Sequence, residues 1–561
     1  MVVMIGNVFR RLSQAPCLEF PSSRQHLSTS RDTNNHRPIT GRAMIAKCRS
    51  GMAAPLLGTA IALALAGCDA TGSGGGGGGG GLFGSLGSDV INNDGEFSGD
   101  PQSARPYRST LTSDEAYHLL RRASFGATPE QVAAAVENGL EATVDDLLEL
   151  KSVPAVLSAL EESYEDDLAK RWLVHLIESP NPLHEKMALF WHDRFATSRR
   201  VLDGRDRGLG LLHMNMLRDH ALGDYRVFLQ ELTIDPLMLI WLDGANSPKE
   251  NPNENYAREF WELFTLGRDV LYTEEDIQEG ARAFTGITLL REQDRDARPI
   301  YDLLHHDETF KTIFPDRVQA ANWDYLTVID LTLDQPEAPA YVARNLFTYF
   351  VHDDPSDEVV TEFANLLVEN DFEIAPLVRA ILTSQAMFSV DAVGSQVTSP
   401  VEHVVGVART LDMHIQSEDS QGFKLDRLRD SLRDAGLELM NPPGVEGWGT
   451  DSYWLEDQWV ISRISALSHT MEYGPDRDSE LPYHLLPPLN RWDEREIREE
   501  IVETMAGVFH IELTEEERDI YVEVLDQNGW RAFHLEEADR RPQHVREMIR
   551  LMAMDERVIG R

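Results

Sequence analysis

The sequence predicts an all-α protein: a large multi-helix domain with long loops and little or no β-sheet. Three observations carry this. Apolar residues recur at i, i+3 and i+4 through segment after segment of the 561 residues. Helix-opening signals, a Ser or Thr followed three residues later by Glu, Gln or Asp, stand before several of those segments. Runs of alternating β-branched residues, the mark of strands, are sparse.

Taken in order, Thr112-Ser-Asp-Glu115 opens a first helix through Leu119, Leu120 and Ala123, and Ser124-Phe-Gly126 breaks it. Thr128-Pro-Glu-Gln131 opens the second, with Pro129 at the first helical position and Gly139 past the end. Residues 141–150, 165–178, 183–196, 207–221 and 224–232 continue the pattern. The helix from Pro182 to Phe195 carries the stripe Leu183, Met187, Phe190, Trp191 and Phe195. His184, His192 and Asp193 are its polar candidates, and His192 is the one taken as a metal ligand. The alternative is a histidine that packs and bonds locally, because adjacent His and Asp do not share a helix face.

The densest stretch is Asn251 to Gly267. Asn251 suits an N-cap, Pro252 the first helical position and Gly267 the left-handed end. Tyr256, Phe260, Leu263 and Phe264 share an apolar face. Glu254, Arg258 and Glu262 follow at i+4 steps, with Glu259 beside them. One reading of this ladder is a brace between helices. The other is an acid/base site, in which Arg258 holds one carboxylate ionised and a second is free to move a proton.

Thr273 and Asp276 open the next helix, which stops at Thr285-Gly286, and a polar loop runs from Arg291 to Arg298. His306, Asp307 and Lys311 then cluster outside any periodic segment, as binding residues or as pins for the loop. Helices follow over 337–352, 356–369 and 374–388, and Ser399-Pro-Val-Glu402 opens another. Met440 to Gly449 is a rigid Pro/Gly turn with Trp448 as its aromatic anchor, suited to a cleft wall and taken as a binding residue.

The net charge is −42. Residues 1–68 hold eight basic and two acidic residues, so the remainder is more acidic still. Nucleic acid, which requires basic patches, is not an expected partner. The three cysteines, Cys17, Cys48 and Cys68, all precede residue 69, which leaves no thiolate chemistry or cysteine-bound zinc to the folded part.

The N-terminus reads as an address. Lys47 and Arg49 precede the apolar run Ala53 to Leu65, too short for a permanent span and suited to a signal-peptide core. Leu65-Ala-Gly-Cys68 resembles the bacterial lipobox, with lipidation on Cys68 and membrane attachment through that lipid. Residues 1–68 are therefore the expected signal peptide, with Met44 as an alternative start. Residues 69–110, with eight consecutive glycines from Gly74 to Gly81, are the expected tether. A helical core over 111–470 and an acidic helical region over 471–561 packed on it complete the expected layout. The implied location is the cell envelope, lipid-anchored and facing the periplasm or the surface.

Seven motifs in one order resemble the bacterial "domain of unknown function 1800" proteins. They are Leu120-Arg-Arg-Ala-Ser-Phe-Gly126; Met187-Ala-Leu-Phe-Trp-His192 with Phe195-Ala-Thr197; and Asn253-Glu-Asn-Tyr-Ala-Arg-Glu259 with Glu262-Leu-Phe-Thr-Leu-Gly267. Ala281-Arg-Ala-Phe-Thr-Gly286, His306-Asp307 with Lys311-Thr312, Ser399-Pro-Val-Glu402 and Asn441-Pro-Pro-Gly-Val with Gly447-Trp448 complete the set. Two positions depart from the pattern. Phe260-Trp261 stands where the family more often has two aliphatic residues, and Asp193 where it often has Asn. The resemblance implies an exported protein with an exported sulfatase-like protein as partner, and it supplies no catalytic residues. Two functions are therefore expected. The first is an envelope protein that binds or supports another exported protein or a surface polymer. The second is an envelope hydrolase using Glu254, Arg258, Glu259 and Glu262, with a divalent metal as an open option.

Overall fold

The computed structural model describes residues 97–155, 157–158, 167–204, 206–291, 297–414, 421–470, 486, 495–526 and 541–560. The expected signal peptide, Cys68 and the glycine run lie outside them. Among the described residues the chain forms 21 α-helices and one two-stranded sheet, so the fold is all-α.

The first helices are α1 Ser113–Ser124, α2 Pro129–Asn138, α3 Leu140–Leu148, α4 Leu168–Glu178, α5 Pro182–Arg194, α6 Gly208–Asp219, α7 Tyr225–Ile234 and α8 Pro236–Trp241. The central helix α9, Glu254–Glu259, continues as a wider turn over Phe260–Thr265, and α10 is Glu274–Ala283. Strands β1 Ile287–Leu290 and β2 Arg298–Tyr301 follow. Then come α11 Tyr325–Leu333, α12 Glu337–Phe350, α13 Asp357–Glu369, α14 Ile374–Leu382, α15 Pro400–Thr410 and α16 Gln421–Asp434. The chain ends with α17 Asp457–Thr470, α18 Arg495–Val508, α19 Glu515–Asp526, α20 Arg541–Ala553 and α21 Glu556–Ile559.

The expected capping boxes form at Thr112/Glu115, Thr128/Gln131, Thr273/Asp276 and Ser399/Glu402, each satisfying two backbone donors that an unbroken helix start leaves open. Around the polar loop 291–298 the structure adds a hairpin, with Ile287 opposite Tyr301 and Leu290 opposite Arg298. Its four-residue strands are too short for a two-residue period to mark them.

The tether expected over 69–110 must be shortened. Residues 97–110 are bonded to the body. Tyr107 stacks on Phe388, its N–H donates to Thr383, and the N–H of Gln385 donates to Arg105. The Glu115 carboxylate takes the Phe97 N–H, the Tyr107 hydroxyl and two bonds from Arg108. Two aromatic side chains with an apolar surface to cover are enough to dock the segment. At the other end of the chain, Arg121 on α1 donates to the carbonyls of Val558 and Gly560, and His403 on α15 bonds the Ala553 carbonyl.

The core is aromatic where α5 meets the central helix. Trp191 stacks on Phe195, and Phe195 meets Phe264 edge-on. Trp261 is fully buried against α10, where Gly280 leaves it room, and its Nε1 donates to Thr332. Burying an indole of roughly 200 Å² contributes about 5 kcal/mol. Trp261 is thus accommodated by a glycine on the facing helix, while Phe260 packs on Tyr256 and Phe284.

Candidate functional site

The central helix starts two residues later than its sequence suggests. Asn253, not Asn251, caps it by accepting from the Asn255 N–H at 2.9 Å. The reason is tertiary: Ser247 accepts the Asn253 N–H, and the Asn253 amide donates to the Asp243 carbonyl. After Glu259 the bonding widens from i−4 to i−5. The Leu266 N–H reaches the Trp261 carbonyl at 2.9 Å, and the Thr265 hydroxyl reaches that of Phe260. Two tyrosines then take up carbonyls at the helix end, Tyr341 that of Leu263 at 2.7 Å and Tyr225 that of Phe264. Gly267, at φ +94°, turns the chain out.

This wide turn splits the expected ladder. Arg258 makes two 2.8 Å bonds to Glu274 at the start of α10, and Glu254 lies 3.5 Å away. Glu262 is carried round to Arg268, which also holds Glu446 of the 441–449 turn at 2.8 Å. The bond to Glu274 raises the Arg258 pKa, so that side chain stays a cation. Glu259 is different. It is half-buried, its carboxyl makes no hydrogen bond among the described residues, and burial first, then Glu262, push that carboxyl up.

The second candidate group sits at the far end of α10. His306 is buried and its Nδ1 donates to the Thr285 carbonyl at 3.0 Å. Burial lowers its pKa, against the effect of that bond. Asp307 takes Arg282 at 2.8 Å; burial pushes its carboxyl up, but the Arg282 and Thr309 bonds outweigh this and hold it well below the usual carboxylate range. Lys311 is fully buried, donates to the carbonyls of Asp307 and Thr309 and to Asn322, and has its pKa lowered by burial. The α10 residues that the two groups bind, Glu274 and Arg282, are eight positions apart, or about 12 Å along the helix, so the groups sit at opposite ends of α10.

The third group gathers at the end of α5. His192 is fully buried, both its nitrogens lack a partner, and it lies against Trp172, Trp448 and His213. Burial first and His213 second push its pKa well down. The nitrogens of His213 are already engaged, Nδ1 with Asp235 at 2.8 Å and Nε2 with Thr197 at 2.9 Å. That Thr–His–Asp relay lies wholly inside the core. Among the described residues no group of three or more His, Cys, Asp or Glu could hold a metal ion. Trp448 is buried rather than presented at the surface; its N–H donates to Asp193 at 2.7 Å. A Cβ on Gly447 would meet Asp193 at 2.3 Å, so this turn docks on α5 only through glycine.

Sequence reasoning missed the relay and the wide turn. The relay residues are 16 and 22 positions apart on separate elements, a spacing with no sequence signature.

By architecture this is an all-helical domain with an aromatic-rich core around its central helix. The chain belongs to the family described as "Protein of unknown function (DUF1800)", which matches residues 118–552. No curated protein and no solved structure matches it.

Proposed function

We propose that this chain is an exported, lipid-anchored helical protein of the cell envelope that binds or supports another exported protein or a surface polymer. The observation that carries the reading is the loop after β2. Leu303, Leu304 and Phe310 are 61, 78 and 73% exposed. The same loop is pinned from inside by His306, Asp307 and Lys311. Large apolar side chains held to solvent on a braced loop are what a docking surface requires, because little ordering entropy remains to be lost on binding. His306, Asp307 and Lys311 then act by shaping the loop. The exported sulfatase-like proteins implied by the family resemblance are the first partners to test. No helix among the described residues is long and apolar enough to cross a membrane. In this reading the lipid on Cys68 supplies the attachment.

The experiment is affinity capture from envelope extracts with the full chain and with a Leu304→Ser/Phe310→Ser variant. Loss of one specific protein or polymer from the variant supports the reading; identical captured sets refute it.

One observation favours a second reading. Glu259 is half-buried, and burial first, then Glu262, push its carboxyl up, which is the direction a general acid of a hydrolase requires.

A further inference from the structure

The loop after β2 has two arms, held by different means. On the first, residues 302–306, the Asp302 N–H donates to the Gly286 carbonyl at 2.7 Å, the His305 N–H to that of Asp302 at 3.0 Å, and the Lys249 N–H to that of His305 at 2.9 Å. The one buried side chain of this arm is His306, whose Nδ1 donates to the Thr285 carbonyl. The second arm, residues 307–311, is held by charge. Arg282 of α10 donates to the Asp307 carboxylate, the Thr309 hydroxyl and the Phe310 carbonyl. Lys311 gives its three N–H groups to Asp307, Thr309 and Asn322.

His306 fits its place as a neutral ring. The first arm closes so tightly that a Cβ on Gly286 would lie 2.8 Å from the Asp302 carbonyl oxygen and 3.0 Å from His306. The Tyr301 ring of β2 stands 5.3 Å from the imidazole. The charged groups that act on it are Lys311 and Asp307 of its own loop and Asp324, the N-cap of α11. Asp307 is already paired with Arg282, Asp324 accepts from Thr327, and neither bonds the imidazole. A second proton on His306 therefore places a cation in a buried space beside the Lys311 cation. Burial, the largest influence, pulls its pKa below the ordinary 6.5; the Thr285 bond opposes this, Lys311 adds to it, and Asp324 and Asp307 oppose it more weakly. In a released arm the ring returns to 6.5, so the closure that His306 provides is fully present above pH 6.5 and is lost as pH falls from there.

We propose that His306 is an acid-sensitive pin: at neutral pH it holds the arm carrying Leu303 and Leu304 against Gly286, and in acid its second proton releases that arm while the Phe310 arm stays in place. What the pin regulates rests on the docking surface proposed above; the pin itself does not.

The test is hydrogen exchange of the full chain at about pH 7.5 and about pH 5, read by mass spectrometry and corrected for intrinsic rates. Peptides covering 302–306 should exchange faster in acid, by up to about tenfold per pH unit below the ordinary histidine value, while those covering 307–311 keep their protection. His306→Asn, whose Nδ2 stands where Nδ1 does, should keep the arm protected at both pH values. His305→Asn, which removes an exposed ring paired with Asp302, should respond as wild type does. His306→Gln takes over if His306→Asn is unprotected at neutral pH, and if both are, the wild-type onset decides. Unchanged wild-type protection, an onset above pH 6.5, or an acid response in a His306 variant protected at neutral pH overturns the pin. A flat exchange profile with partner loss in Leu304→Ser/Phe310→Ser removes the pin and leaves the docking surface; an acid response with identical captured sets does the reverse.

Discussion

Asp193 shows how one residue couples α5 to the 441–449 turn. It accepts the Trp448 N–H, and burial raises its carboxyl to about 6, with Arg194 and the Trp448 bond pulling the other way. In the unfolded chain the carboxyl returns to its ordinary value of 3.8. The folded state therefore binds this proton more tightly. The stabilisation is fully present below pH 3.8 and is lost as pH rises through about 6. Asp193→Asn keeps the acceptor and removes the titration. Melting curves should show the variant close to wild type near pH 4 and more stable above pH 6; the same offset at both ends would contradict this assignment. Exposed and buried partners also separate at this scale. Glu254 is 41% exposed and 3.5 Å from Arg258, so Glu254→Gln should cost less than about 1 kcal/mol in urea unfolding. Tyr225→Phe, which orphans a buried carbonyl on Phe264, should cost about 1–3 kcal/mol. If the order is reversed, the ladder and not the tyrosine pair holds the central helix.

At the level of the element, Trp261 and Gly280 form a matched pair between the central helix and α10. A Cβ on Gly280 would lie 2.5 Å from the indole, which is buried on all sides. Gly280→Ala should lower stability by about 1–3 kcal/mol, and Trp261→Leu in the same chain should relieve most of that increment. Denaturant midpoints give the coupling, and purely additive effects would refute the contact. Helices of this kind were legible in the sequence because period and caps are local: Thr112, Thr128, Thr273 and Ser399 cap where their side chains predict. The wide turn at Phe260–Thr265 was not legible, because Tyr225 and Tyr341 reach it from distant elements. Nor was the true cap at Asn253, which Ser247 and Asp243 select over Asn251. The candidate residues were visible as residue types, but which of them share a cleft is tertiary information.

Among the described residues several ion pairs tie separate segments of the fold together, while Leu303, Leu304 and Phe310 face outward. Arg258–Glu274, Arg268–Glu446 and Arg282–Asp307 each join two segments. In the proposed layout Cys68 supplies the membrane attachment. Cys68→Ser should therefore shift the full chain from the membrane fraction to the soluble one on fractionation, and an unchanged distribution would remove the anchor.

The central claim is that the loop of Leu303 to Phe310 is the working face and that the carboxylates of the central helix are not. The most direct measurement runs two full-chain variants side by side in capture from envelope extracts: Leu304→Ser/Phe310→Ser and Glu259→Gln/Glu262→Gln. The account predicts that the loop variant loses the specific partner and the carboxylate variant retains it. Loss in the carboxylate variant alone, with the loop variant binding as wild type does, would contradict the account and move the function to the central helix.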